Sequence, residues 1–189
     1  IYATSTFAQP APGQHTGYEY SRSGNPTRHA LETAIADLEN GTRGYAFASG
    51  LAAISTVLEL LDKDSHLVAV DDVYGGTYRL LENVRRRSAG LQVSWVKPDD
   101  LAGIEAAIRP DTRMIWVETP TNPLLKLADL SAIAAIARRH NLISVADNTF
   151  ASPAIHRPLE HEFDIVVHSA TKYLNGPSDV VAGLAGVGE

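Results

Sequence analysis

The sequence predicts an α/β domain, a largely parallel β-sheet covered by helices. Three observations carry that expectation. Short apolar runs recur along the chain, they are continuous rather than alternating, and helical stretches separate most of them. Continuous apolar runs are what strands buried on both faces require. Repeated strand–helix units place such strands side by side in parallel, since a parallel pair needs a crossover connection.

The elements follow in order. Residues 1–26 lack a helical or strand period and carry Gly, Pro and Ser throughout, so they read as an extended arm, with the domain proper over 27–189. The stretch NPTRHALETAIADLEN starts a helix. Thr27 is its expected cap, Leu31, Ala34, Ile35 and Leu38 form its apolar stripe, and Gly41 stops it. The runs GYAFAS, HLVAV, LQVSWV, RMIWVE, LISVAD and FDIVVHSA then alternate with helical stretches such as GLAAISTVLELL, DDLAGIEAAI and LSAIAAIARRH. The last run, VVAGLAGVG, follows Lys172 with no helix between and is expected to be antiparallel. The sum is a mostly parallel seven-stranded sheet with one antiparallel strand and helices on both faces.

Composition narrows the function classes. The 189 residues fit one domain with a full core, or a domain plus a piece of another, and 44% hydrophobic with 20% charged residues is ordinary globular composition. Sixteen Lys and Arg against 22 Asp and Glu give a net charge of -6, which argues against nucleic acid or an anionic membrane as main partner. The one dense basic run, Arg85-Arg86-Arg87, suits a helix C-terminus. There are no cysteines, so disulfides, zinc–thiolate sites and thiol catalysis are excluded, which fits a cytoplasmic enzyme. No apolar run approaches the roughly 18 residues of a membrane span. The chain opens on IYATSTFAQP, without an initiator Met or signal-peptide pattern, and closes in mid-run on GVGE, so both ends are expected to be cut.

In a parallel sheet every carboxyl end lies on one edge, and ligands bind in the crevice there. The polar exits from these runs are Ser49-Gly50, Asp71 to Tyr74, Glu118, Asp147 and Ser169 to Lys172. Ser49 and Gly50 open a helix straight after a strand and so offer backbone N–H groups to an anion; a plain N-cap accounts for Ser49 equally well. The chain carries no G-x-G-x-x-G after a strand and no G-x-x-x-x-G-K-[ST], which points to a single phosphate rather than a dinucleotide. Asp147 ends an apolar run and is expected to be buried, a costly state unless a cation or good donors meet it. Tyr74 precedes two glycines, a turn that would lay its ring on something flat, though a core tyrosine reads the same way. A phosphate cradle, a flat aromatic, a buried acid and a terminal lysine together match pyridoxal 5′-phosphate (PLP). The lysine forms a Schiff base, the acid keeps the pyridine nitrogen protonated, and Ser169 and Thr171 hold phosphate oxygens beside Gly50 and Leu51. His156, His161 and His168 raise a metal site as a rival, but their spacings fit no common ligand set. The rival from another class is a non-catalytic phosphate-binding or oligomerisation domain.

The stretches YEYSRSGNPTR, FASGLAA, DDVYGGTYRL, VETPTNP, VADNTFASP and HSATKYLNG, read as a set, resemble the cystathionine γ-lyase/γ-synthase family of PLP enzymes in Cys and Met metabolism, along essentially the whole chain. The resemblance implies the large domain of a PLP-dependent transferase-like (fold type I) protein. It makes Lys172 the cofactor-linking lysine, buried in its site, pairs Asp147 with the ring nitrogen and sets Thr149 beside it. Tyr74 would stack on the ring and donate a proton to the leaving thiolate; Ser49, Gly50, Leu51, Ser169 and Thr171 would line the phosphate. Tyr20 and Arg22 would reach the phosphate of a neighbouring subunit in a homotetramer built as a dimer of dimers. Asn122 would lie near the cofactor and the substrate, although an Asn before Pro is also a routine turn residue, and Glu118 would stand just behind the substrate. The implied reaction is γ-elimination of L-cystathionine in trans-sulfuration, although γ-synthases and β-lyases share most of these motifs. Methionine γ-lyases typically carry Cys where this chain has Gly76. Pro177 stands where relatives usually have His. The family's chains also run well beyond this one, into a C-terminal domain whose arginine binds the substrate carboxylate.

Overall fold

The seven apolar runs form the strands of one sheet in a computed structural model that describes residues 1–176 and 179–188. The strands are β1 Arg43–Phe47, β2 His66–Val70, β3 Gln92–Val96, β4 Thr112–Glu118, β5 Ile143–Asp147, β6 Ile165–Ser169 and β7 Gly183–Val187. Their order is β1-β7-β6-β5-β4-β2-β3. The pairs β2–β3, β2–β4, β4–β5 and β5–β6 are parallel, and β7 lies antiparallel between β6 and β1, as the missing helix before it predicts. Pro177 lies outside the described residues.

Burial explains why the runs are continuous. All five residues of β2 are buried, as are six of the seven in β4, where Met114, Ile115, Trp116 and Val117 are at most 1% exposed. Each such side chain contributes roughly 1.5–3 kcal/mol by leaving water. The chain passes from β2 outward to β3 and then returns to β4 on the other side of β2. That reversal opens a crevice at the carboxyl edge between β2 and β4.

Helices α1 Pro26–Glu39, α2 Gly50–Val57, α3 Gly75–Arg79, α4 Arg86–Ser88, α5 Leu101–Ala106 and α6 Leu130–Arg139 cover the sheet, with a π-helical stretch, Leu80–Arg85, joining α3 to α4. The Arg85-Arg86-Arg87 run therefore does close a helical segment. The alternation of side chains along β6 separates the layers: His168 meets Glu39 of α1, whereas Ser169 meets Gly50 of α2. The pair Gly75-Gly76 is the first turn of α3 rather than an isolated turn. No helix of the described residues is long and apolar enough to cross a membrane.

The first helix differs from its expectation in three ways. Its cap is Asn25, whose Oδ1 accepts from the N–H groups of Thr27 and Arg28 at 2.9 and 3.4 Å. Pro26 at the first helical position needs no N–H partner, which places the cap one residue before it. Thr27 instead accepts from Tyr2 N at 2.8 Å and, with Arg28 donating to Ser21 O and Arg22 O, fastens the 1–25 arm to α1. The stop is Asn40, left-handed at φ 57°, one residue before Gly41. Of the expected stripe only Ile35 is buried; Leu31, Ala34 and Leu38 form a ridge on the outer side, and the face against the sheet is Ile35, Ala36 and Glu39. Periodicity fixed that α1 is amphipathic but not which of two adjacent ridges packs inward.

Asn25→Ala is expected to lower stability by about 1 kcal/mol in urea unfolding, and Thr27→Ala by less. The reverse order would contradict the capping assignment.

Candidate active site

A cleft of about 230 Å³ opens at the carboxyl edge of the sheet, lined by Ser49, Gly50, Leu51, Tyr74, Glu118, Asn122, Asp147, Thr149, Ser169, Thr171 and Lys172, together with Ile54, Pro120, Phe150 and Val181. Eleven of the thirteen site residues expected from sequence therefore meet there. Tyr20 and Arg22 do not: they sit in the arm, exposed, with the Arg22 guanidinium 4.9 Å from the centre of the Tyr20 ring.

The floor beside α2 is built by close approach. Ser49 caps α2 through Oγ, accepting from Ala52 N at 3.1 Å, so the plain-cap reading of Ser49 is correct as far as its hydroxyl goes. The N–H groups of Gly50 and Leu51, in the first turn, have no partner within the helix. Gly50 lies so near β6 that a Cβ there would stand 2.7 Å from Ser169 Cβ. Only glycine lets the helix start rest on Ser169 and leaves a concave backbone cradle. The Ser169 N–H donates to Thr149 Oγ1 at 2.9 Å, while its hydroxyl bonds no other described residue. The Thr171 hydroxyl is shared with the Ala182 backbone, at 3.2 and 3.3 Å.

Asp147 is the buried acid of the cleft, 6% exposed. Thr149 donates to its Oδ1 twice, from N at 3.1 Å and from Oγ1 at 2.5 Å. Those bonds orient the carboxyl and leave Oδ2 for a cation. Burial pushes the Asp147 carboxyl above its ordinary range, against the opposing pull of the Thr149 bonds and the nearby His168. Glu118 is its register partner on β4 and is equally enclosed. Burial first, and the Asp147 charge second, push Glu118 up to about 9. Its Oε2 accepts from Tyr74 N at 2.9 Å, so Glu118 holds the start of α3 instead of reaching freely into the cleft.

Tyr74 is partly exposed and leans over Gly76, where a Cβ would stand 2.3 Å from Tyr74 Cε1. Asn122 is held by its N–H on Asp72 O at 3.1 Å. Asp72 also accepts from Thr121 Oγ1 and Leu124 N, at 2.6 and 3.0 Å, which pins the 119–126 loop over the cleft. Lys172 lies in the turn after β6, its N–H on Ser169 O at 3.1 Å. It is exposed within this chain rather than buried, and its amine bonds no other described residue. A free amine, an oriented acid, a half-exposed aromatic and a glycine cradle at a helix start fit PLP in donor chemistry. The residues present can bind its aldehyde, its ring nitrogen and its phosphate.

Sequence reasoning missed Ile54, Pro120, Phe150 and Val181, apolar residues whose types signal only burial. It also left His168 and His156 unexplained. His168 pairs with Glu39 of α1, the His156 carbonyl accepts from Asn148 Nδ2 at 3.0 Å, and His161 bonds Ser131 Oγ at 2.8 Å. Among the described residues no group of three or more His, Asp or Glu is placed to hold a metal ion.

Comparison with known proteins places the chain in a family. Residues 1–189 match the family model described as Cys/Met metabolism PLP-dependent enzyme. A cystathionine beta-lyase of Coxiella burnetii is 60% identical over the whole chain, which covers 49% of that protein. A cystathionine gamma-lyase of Bacillus subtilis is 53% identical over 97% of the chain and 48% of its own length. The crystal structure of cystathionine gamma-lyase from Lactobacillus plantarum complexed with L-serine superposes with a TM-score of 0.96 at 52% identity, over all of this chain and 49% of that one. The chain thus spans about half the length of the relatives it matches.

The Glu118–Asp147 pair gives a pH test. A carboxyl whose folded pKa lies above its ordinary 4.5 supports the fold fully below pH 4.5, and that support is lost as pH rises through about 9. Glu118→Gln should flatten this alkaline decline in the cofactor-free protein, a difference on the order of a few kcal/mol at the upper end. Thermal unfolding across that window measures it, and an unchanged slope would contradict the assignment.

Proposed function

The chain belongs to the Cys/Met metabolism PLP-dependent enzyme family, and from that premise we propose that its protein is a carbon–sulfur lyase that cleaves L-cystathionine by γ-elimination, giving cysteine, 2-oxobutanoate and ammonia. One observation carries the proposal: Lys172, Asp147 and the open N–H groups of Gly50 and Leu51 line a single cleft. In this reading Lys172 holds the cofactor, Asp147 Oδ2 faces its ring nitrogen, Tyr74 covers its ring, and Gly50, Leu51, Ser169 and Thr171 take its phosphate.

When bound, PLP supplies an aldehyde for the substrate amine and a ring that accepts the electrons released at Cα. The chain's own groups do the rest. Lys172 Nζ, once displaced by the substrate amine, is the base that takes the Cα proton; a second proton is then lost from Cβ, and the electron pair left there expels the sulfur from Cγ. Asp147, oriented by Thr149, keeps the proton on the ring nitrogen. The Tyr74 hydroxyl donates a proton to the departing sulfur, and Glu118 keeps Tyr74 in place through the Tyr74 N–H. Asn122 and the 119–126 loop form the wall nearest the substrate. A side chain at Gly76, as in methionine γ-lyases, would displace the Tyr74 ring, which favours a different substrate here.

A second reading has its own support. The Coxiella burnetii relative is named a cystathionine beta-lyase. Scission on the other side of the sulfur would give homocysteine, pyruvate and ammonia from the same cleft. In either case Tyr20 and Arg22, outside this chain's cleft, would serve the phosphate site of a neighbouring copy in a cytoplasmic homotetramer. The exposed Leu31, Ala34 and Leu38 ridge on α1 supports an interface between copies.

The intact protein should be assayed side by side with cystathionine, with O-succinylhomoserine plus cysteine, and with methionine. The expected result is 2-oxobutanoate and cysteine from cystathionine, with Lys172→Ala at least about 100-fold slower. Pyruvate from cystathionine would select the second reading. Synthesis of cystathionine without its cleavage, or near-full activity of Lys172→Ala, would overturn the lyase assignment.

A further inference from the structure

We propose that Glu39, at the end of α1, is a positioning residue that sets the spacing between Asp147 and Ser169 by clamping the residue next to each. This rests on the PLP reading of the cleft. Asn148 follows Asp147 at the end of β5, and His168 precedes Ser169 in β6. Both bond one atom: Asn148 Nδ2 donates to Glu39 Oε1 at 2.9 Å, and His168 Nε2 lies 2.5 Å from the same oxygen, within hydrogen-bond distance. The Asn148 N–H continues the ladder onto Val167 O at 3.0 Å, so the two strand ends are tied by backbone as well. Side chains alternate along each strand, so Asn148 and His168 turn to α1 while Asp147 and Ser169 turn to the cleft. One carboxylate behind the sheet therefore holds both walls in front of it.

The energetics argue for positioning over stability. Glu39 and His168 are both fully buried. Removing an ionisable pair from water costs several kcal/mol per ion, and well-packed apolar replacements of both members together are often neutral or stabilising. The cluster is also incompletely satisfied: Glu39 Oε2, His168 Nδ1 and Asn148 Oδ1 have no partner among the described residues. What one oxygen held from two sides does supply is direction. His168 also pulls the Asp147 carboxyl back toward its charged form, which suits an acid that must face a protonated ring nitrogen.

The test uses the intact protein, freed of cofactor and titrated with PLP, in wild type and in Glu39→Leu, Glu39→Gln and Asn148→Ala. Glu39→Leu, which leaves His168 and Asn148 without their shared acceptor, is expected to unfold at a lower temperature than the wild type, to bind PLP about 10- to 100-fold more weakly, and to shift the visible band of the bound cofactor as Asp147 loses its alignment. Glu39→Gln, which keeps an acceptor for Asn148, should recover part of the affinity. Asn148→Ala keeps the Glu39–His168 pair but should weaken binding too, and it decides the matter if Glu39→Leu does not fold. Affinity within twofold of wild type in a folded Glu39→Leu, or in Asn148→Ala, overturns the clamp. So does a weakened affinity that tracks thermal stability while the band stays unmoved. If the wild type itself takes up no PLP that borohydride fixes, the reading of the cleft has failed instead.

Discussion

Everything at the cleft depends on the parallel pairing of β4, β5 and β6, which sets Glu118 opposite Asp147 and Asp147 opposite Val167, with Ser169 two residues further along the same edge. A slip of one residue at β6 would exchange its faces. Ser169 would then point at Glu39, and His168 would enter the cleft. The antiparallel β7 closes the other side of β6 and fixes that register a second time, pairing Ser169 with Gly183. The start of α2 can rest on Ser169 only because position 50 lacks a side chain. Register and close approach together make a concave cradle out of ordinary backbone, the place proposed for the phosphate.

The second constraint is charge. Two enclosed carboxyls on adjacent strands repel each other, and burial raises both. They differ in what surrounds them. Asp147 has two donors from Thr149 on one oxygen, whereas Glu118 takes the Tyr74 N–H and feels both Asp147 and Asp72. The surroundings divide the roles: Glu118 carries the proton at neutral pH, and Asp147 is the member equipped to hold negative charge. A cationic ring nitrogen beside Asp147 would favour the charged form of that carboxyl against its burial. The chemistry proposed for the cleft and its electrostatics thus point the same way.

Much of this was legible in the sequence. Continuous apolar runs such as HLVAV and RMIWVE became the central strands because burial on both faces leaves no room for alternation. The polar exits at their ends met in one cleft because parallel strands share an edge. What stayed hidden depended on choices that local pattern does not make. Thr27 looked like a cap until Pro26 moved the helix start back to Asn25. Leu31 and Leu38 look like core in the pattern, yet the face of α1 that packs inward is Ile35, Ala36 and Glu39. Nothing around Glu39 in sequence marks it as buried, because its partners lie 109 and 129 residues away at Asn148 and His168. The arm residues Tyr20 and Arg22 remain apart from the cleft of their own chain.

The central claim is a covalent link between Lys172 and a PLP ring whose nitrogen faces Asp147. Reduction of the intact, cofactor-loaded protein with borohydride, followed by peptide mapping, tests it directly. A phosphopyridoxyl group is expected on the peptide carrying Lys172, in lower yield from Asp147→Ala at the same PLP concentration. The group on another lysine, or no modified peptide from a protein saturated with PLP, would contradict it.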